Sequence, residues 1–291
     1  MKSLRECVME AKTAGKAVGH FNISNLEGLW AIARAARELK VPVIIGVSEG
    51  ERDFVGVRQV VALVESFRQE FPAESPIFLN ADHTYTFERV KEAIDAGYDA
   101  VIFDGSKLPF EENVAETKKC VDYARASGRD VLVESEIGYI GTSSKILNKL
   151  PEGVSLVEKD LPTAEEAKQF ARETGIDLLA PAVGNIHGMF KVGGDPALQI
   201  DLIKKISEAT GLPLVLHGAS GNTDADIKDA IQAGVAIVHV NTELRVAYRD
   251  GLKLSLQEFP DEVAPYKILK PALAAMQKVV TAKLKLFNGL S

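Results

Sequence analysis

Two cysteines in 291 residues, Cys7 and Cys120, are too few and too far apart for a disulfide framework or a cysteine metal site. Each falls in an amphipathic stretch that reads as helix, so each is taken as a buried thiol. An excess of basic residues is missing as well. The formal net charge of -7 and the pI near 5.4 exclude the basic face of an ordinary nucleic-acid binder. No apolar run approaches the roughly 20 residues that span a bilayer, and the start, MKSLRECVMEAKTAGK, is too charged for a secretory signal. Domain linkers and low-complexity segments are absent. These absences predict one domain over residues 1–291, cytoplasmic, with no nucleic-acid and no membrane partner.

What is present is a rhythm. Residues 3–15 read as an amphipathic helix. Apolar runs then follow at 17–22, 41–48, 77–79, 99–104, 130–136, 177–182, 213–217 and 235–240, with helices between and after them. Those helices are placed at 25–40, 54–71, 87–96, 110–127, 163–175, 196–211, 223–234, 243–258 and 265–287. Capping-box spacings mark several starts: Ser24 with Glu27, Thr163 with Glu166, and Thr223 with Asp226. Runs that are apolar throughout, rather than alternating, suit parallel strands buried on both faces. Eight strand–helix units in this length predict a closed (β/α)8 barrel with an N-terminal helix and an extra C-terminal helix. An open doubly wound sheet is the competing architecture. It calls for a glycine-rich turn after the first strand, and Gly19-His20-Phe21-Asn22 lacks that pattern. The stretch 138–162 is longer than an ordinary strand-to-helix loop, as lids and site loops often are.

In such a barrel the site forms at the carboxyl ends of the strands. The polar residues there are Asn22, Ser48, Asp82, His83, Asp104, Glu134, Glu136, His187, His217, His239 and Asn241. The chain has five histidines, and all five lie at or just past an expected strand end. Several imidazoles converging with carboxylates suit a divalent transition ion such as zinc. His20, inside its strand, reads instead as a hydrogen-bonded core histidine. Asp82 and His83 are placed in the turn beyond the third strand, because adjacent strand residues face opposite ways. On that stretch alone a helix cap is the plainer explanation. After the seventh strand comes His217-Gly218-Ala219-Ser220-Gly221, and after the eighth His239-Val240-Asn241-Thr242-Glu243. Small residues there let a phosphate reach backbone N–H groups, a common use of these two loops. A turn followed by a helix cap accounts for the same residues without a ligand.

The segments GHFNISNLEGLWAIARAARELKVPVIIGVSEG, LNADHTYTFERVKEAIDAGYDAVIFDGSKLPFEENV, VESEIG, NIHG and HGASG resemble the class II, metal-dependent fructose- and tagatose-bisphosphate aldolases over nearly the whole chain. The resemblance implies His83, His187 and His217 as zinc ligands and Asp82 as the residue that moves a proton where the carbon–carbon bond breaks. It implies Asp104 and Glu136 at an alternative or second metal position. It also implies Gly188, Gly218, Ser220, Asn241 and Thr242 as a phosphate cradle, with Asn22 and Ser48 near the substrate. Such enzymes take a sugar phosphate, work in glycolysis and gluconeogenesis, commonly bind a monovalent cation (sodium or potassium) beside that phosphate, and form homodimers or homotetramers.

Two departures stand out. The family's loop after VESEIG usually carries acidic residues, one of which serves the second proton step. Here no carboxylate occurs between Glu136 and Glu152, so Glu152 or Glu158 folds back on the long loop, or the step is handled otherwise, or that activity is weak. His239 stands where the family usually has an asparagine that contacts the substrate. It is read as an extra ligand, a substitute hydrogen-bond donor at the substrate, or a sign of altered substrate. The altered loop keeps two alternatives open: a metal-dependent hydrolase or isomerase of a phosphorylated sugar, and a binding protein without turnover. A lysine Schiff-base aldolase is disfavoured, since no lysine falls inside the eight expected strands.

Overall fold

The computed structural model describes residues 2–71, 74–141, 145–157, 160–191 and 195–290. Strands β1 (Val18–Asn22), β2 (Val43–Val47), β3 (Ile77–Thr84), β4 (Ala100–Phe103), β5 (Leu132–Ile137), β7 (Leu178–Pro181), β9 (Leu214–Leu216) and β10 (Val235–Val240) close into a parallel barrel. Two short strands, β6 (Ile146–Leu147) and β8 (Met189–Phe190), pair outside it. The helices are α1 (Leu4–Thr13), α2 (Leu26–Leu39), α3 (Glu49–Val55), α4 (Val57–Glu70), α5 (Phe87–Ala96), α6 (Phe110–Ala126), α7 (Ala164–Thr174), α8 (Ile200–Thr210), α9 (Asp224–Gln232), α10 (Thr242–Glu258), α11 (Pro265–Ile268) and α12 (Lys270–Asn288). The fold is the (β/α)8 barrel, with α1 below it and α12 packed against α2 and α10.

Two apolar layers hold it. The strands' outward side chains meet the helices in a continuous core that includes Ile32, Ile45, Val64, Leu79, Val101 and Phe170. Inside the barrel, Val18, Ile44, Phe78, Leu132, Leu178, Val215 and Ile237 fill the lower end, and Leu4, Cys7 and Val8 of α1 seal it. Polar side chains are thereby confined to the upper half. Both cysteines are buried and free.

The structure corrects several local expectations. β3 does not stop before Asp82 but runs through Thr84. Its register against β4 slips between Ala81 and Thr84, and His83 has φ 37°. This bulge lets neighbouring residues escape strict up–down alternation, so Asp82 and His83 can serve one site. Arg52 pins the bulge from α3. Its guanidinium is buried and donates to the carbonyls of Val47 (2.6 Å) and Asp82 (3.1 Å) and to Thr84 Oγ1 (3.0 Å). The helix expected over 54–71 is two helices, broken at Gly56, whose φ of 98° suits glycine. α2 is capped by Asn25, whose Oδ1 accepts from Gly28 N–H at 2.9 Å, and not by Ser24. α8 begins at Ile200 and not at Pro196. The segment before it is tied down elsewhere: Asp195 accepts from Phe190 N–H, Gln199 N–H donates to Val183, and Leu198 is buried. The helix expected over 265–287 is divided at Leu269 into α11 and α12.

Candidate active site

The upper ends of the strands converge on one cavity. It is lined by Asn22, Ser48, Asp82, His83, His187, Gly188, His217, Gly218, Ser220, His239, Asn241 and Thr242, together with Glu49, Gly50, Tyr85 and Arg245. Twelve positions singled out in the sequence thus meet in one place. Asp104 and Glu136 lie just behind the wall, against His83. No lysine lines the cavity among the described residues.

Four side chains, His83, Glu136, His187 and His217, place ligand atoms within 4.8 Å of one another. His83 Nε2 and His217 Nδ1 are 3.3 Å apart. Two imidazole nitrogens on a tetrahedral zinc, each at about 2.0–2.1 Å, are separated by about 3.3–3.4 Å. His187 Nε2 and Glu136 Oε1 are buried and have no hydrogen-bond partner among the described residues. A cation held by the four residues would satisfy both atoms, so the donor set fits a divalent ion. The outer contacts fit too. Glu134 Oε1 lies 2.6 Å from His217 Nε2, and Asp104 Oδ2 lies 3.1 Å from His83 Nδ1. Carboxylates behind ligand histidines orient the ring and fix its tautomer. Asp104 is therefore placed behind His83, while Glu136 Oε1 lies 3.3 Å from the same His83 Nδ1 and 3.5 Å from His217 Nδ1, between the two rings.

Charge is balanced by proximity. Burial pushes the Glu136 carboxyl up to about 8, aided by Asp104 and opposed by His83 and His217. Burial pushes His83 down, but Asp82, Glu136 and Asp104 outweigh it and hold its imidazole well above the ordinary range. His187 is pushed well below that range by burial, reinforced by His83 and His217.

Asp82 is buried and held asymmetrically. Its Oδ2 accepts from Asn22 Nδ2 at 2.8 Å. Its Oδ1 has no hydrogen-bond partner among the described residues and faces His239 Nδ1 at 3.6 Å and His83 Nε2 at 3.8 Å. Burial alone would raise this carboxyl, but the imidazoles of His83, His239 and His20 draw it well below the usual range. Asn22 is set by Glu51, whose Oε2 accepts from Asn22 Nδ2 and Ser48 N–H at 2.8 Å and from Ser48 Oγ at 2.9 Å. Glu51 Oε1 accepts from Arg245 at 2.6 Å. Sequence reading missed Glu51, Arg52 and Arg245. The signal for Glu51 was its Ser48-x-x-Glu51 spacing, and for Arg245 its place one turn into the helix that follows Asn241 and Thr242.

His20 is buried as expected, but neither ring nitrogen has a hydrogen-bond partner among the described residues. It is stacked on His239 instead. Its room comes from Gly46, where a Cβ would lie 2.1 Å from His20 Cε1.

On the other side of the cavity, Gly218 turns the chain with φ 63°, and a Cβ there would lie 2.0 Å from the Ile186 carbonyl. The chain can follow HGASG through this gap only with glycine. α10 starts at Thr242 on the same cavity as Gly218 and Ser220, and the N–H groups of a helix's first turn favour an anion. Ser220 Oγ accepts from Glu243 N–H at 3.3 Å, joining the two loops. Of the acids considered for the altered loop, Glu158 lies outside the described residues. Glu152 is exposed and does not line the cavity.

Comparison with known proteins agrees with this geometry. A family model described as "Fructose-bisphosphate aldolase class-II" matches residues 2–290. A Bacillus subtilis protein named "Probable fructose-bisphosphate aldolase" is 41% identical over 288 residues, which cover 99% of this chain and 97% of that one. A Staphylococcus aureus "Fructose-bisphosphate aldolase" is 40% identical over 287 residues, covering 98% and 96%. Among solved structures, the YdjI aldolase of Escherichia coli superposes with a TM-score of 0.82 at 30% identity, covering 98% of this chain and 96% of that one. A putative fructose-1,6-bisphosphate aldolase of Coccidioides immitis gives 0.83 at 28% identity, covering 99% and 96%.

Proposed function

The chain belongs to the class II fructose-bisphosphate aldolase family, and from that premise we propose that it is a zinc-dependent lyase that reversibly cleaves fructose 1,6-bisphosphate to dihydroxyacetone phosphate and glyceraldehyde 3-phosphate. The observation that carries the reading is the unpartnered Oδ1 of Asp82 beside the cluster of three histidines and Glu136.

His83, His187 and His217 would hold the divalent ion, with Glu136 at hand and Glu134 and Asp104 steadying the rings. A cation held there supplies Lewis acidity for the negative charge that develops on the ketone oxygen as the bond breaks. The chain's own residues do the rest. Asp82 Oδ1 takes the proton of the C4 hydroxyl as the C3–C4 electron pair moves to C3 of the dihydroxyacetone phosphate half and C4 becomes the aldehyde of glyceraldehyde 3-phosphate. Asn22 keeps Oδ2 occupied, so that Oδ1 is the oxygen presented. Gly188, Gly218, Ser220, Asn241 and Thr242 hold the phosphate and keep the reacting carbons in register. A monovalent cation beside that phosphate belongs to the same reading.

A coupled assay for triose phosphate from fructose and, separately, tagatose 1,6-bisphosphate tests the reading, run with zinc and after chelation. Chelator-sensitive cleavage is expected, and the ratio of rates sets the preferred sugar. No cleavage of either sugar by zinc-loaded protein would overturn it.

A further inference from the structure

The role given to Asp82 leaves its neighbour His239 unused. The His239 ring is gripped on both faces. His20 stacks on one side with centroids 3.5 Å apart and planes 3° from parallel; His217 lies on the other at 4.0 Å and 32°. The first pair is built into the barrel, since His20 and His239 are register partners on β1 and β10. The grip leaves Nδ1 facing Asp82 Oδ1 at 3.6 Å, while Nε2 is buried without a partner among the described residues.

His20, Asp82 and His239 are spaced closely enough to suggest a second ion site. The parallel rings argue against it. A cation between two parallel imidazoles lies out of both planes, where neither nitrogen lone pair points. The imidazole nitrogen that faces a carboxylate oxygen is the one that carries the N–H.

We propose that His239 is a positioning residue for Asp82: the His20–His239–His217 stack holds its Nδ1–H toward Asp82 Oδ1, so the carboxylate is fixed from both sides, by Asn22 and by His239. At 3.6 Å the ring faces Oδ1 without closing a hydrogen bond, so this oxygen is oriented by His239 and stays open to the substrate hydroxyl. This role rests on the reading of Asp82 as the proton acceptor. It requires a donor at the δ position, which an asparagine also supplies and an alanine does not.

The test compares zinc-loaded wild type, His239→Ala and His239→Asn in fructose 1,6-bisphosphate cleavage. His239→Ala should lower kcat about 10- to 100-fold, the range for lost supporting partners, with KM moved less than about threefold and zinc content unchanged. His239→Asn should recover most of that loss. A loss confined to KM, or an asparagine variant no better than alanine, overturns the proposal. A second measurement needs no turnover. The imidazole 15N–1H spectrum of zinc-loaded protein should show His239 as the Nδ1–H tautomer, and Asp82→Ala should abolish that preference. An Nε2–H tautomer in the wild type overturns the proposal whatever the activity. If the wild type cleaves neither sugar yet shows Nδ1–H dependent on Asp82, the aldolase reading fails and the clamp stands.

Discussion

Asp82 has one oxygen tied to Asn22 and the other open to the cavity, and its neighbours keep it ionised. Removing the carboxylate by Asp82→Ala should cut kcat by about 10²–10⁴, as for loss of a general base. The histidine cluster should keep its zinc, measurable by elemental analysis, and a variant that also lost the ion would make Asp82 a ligand. Glu136 gives a pH prediction for the metal-free protein. Its native carboxyl titrates near 8, while the unfolded group titrates near 4.5. Between those values the unfolded chain binds fewer protons, so this group lowers stability as pH rises from about 4.5 to about 8. Glu136→Gln should therefore raise the metal-free Tm at pH 8 and change it little at pH 4.5. Equal shifts at both pH values would show that ionisation of Glu136 is not the cause.

At the scale of elements, the site depends on a strand that breaks its own alternation. Arg52 supports that break from α3 with three hydrogen bonds to buried acceptors. Arg52→Met should lower the unfolding free energy by about 2–4 kcal/mol, because carbonyls of Val47 and Asp82 lose their donor. Urea denaturation measures this, and kcat should fall as well in the folded variant. Little of this was legible beforehand. A bulge at Asp82-His83 carries no glycine to announce it, and Glu51 and Arg52 fall ahead of the helix expected from residue 54. β6 and β8, two residues each, are too short for periodicity to register. The barrel strands were legible because parallel strands buried on both faces demand unbroken apolar runs, and the long helices because their caps are local. The breaks at Gly56 and Leu269 were not, since the amphipathic pattern continues across them. The barrel made strand-end histidines legible as neighbours, and the family resemblance singled out His83, His187 and His217 among them. His20 was misjudged in one respect: stacking, not hydrogen bonding, accommodates its ring.

At the scale of the whole molecule, the end of α10 and the segment after it expose Phe259 (56%), Val263 (84%) and Tyr266 (67%). The family resemblance implies a homodimer or homotetramer, and these three exposed side chains are where a second copy is expected to pack. Sedimentation should give a multiple of 31.5 kDa, and Val263→Glu combined with Tyr266→Glu should shift the species toward monomer. A wild type that sediments as monomer would remove the idea. One consequence follows from the way α1 stoppers the lower end of the barrel beneath a floor of Val18, Ile44, Phe78 and Leu132. The barrel is a blind tube with a single mouth. Whatever lies deepest must arrive first and leave last, so on the proposed reading a sugar phosphate seated at the rim would cover an ion held by His83, His187 and His217. Product added to zinc-loaded protein should then slow extraction of the ion by a chelator.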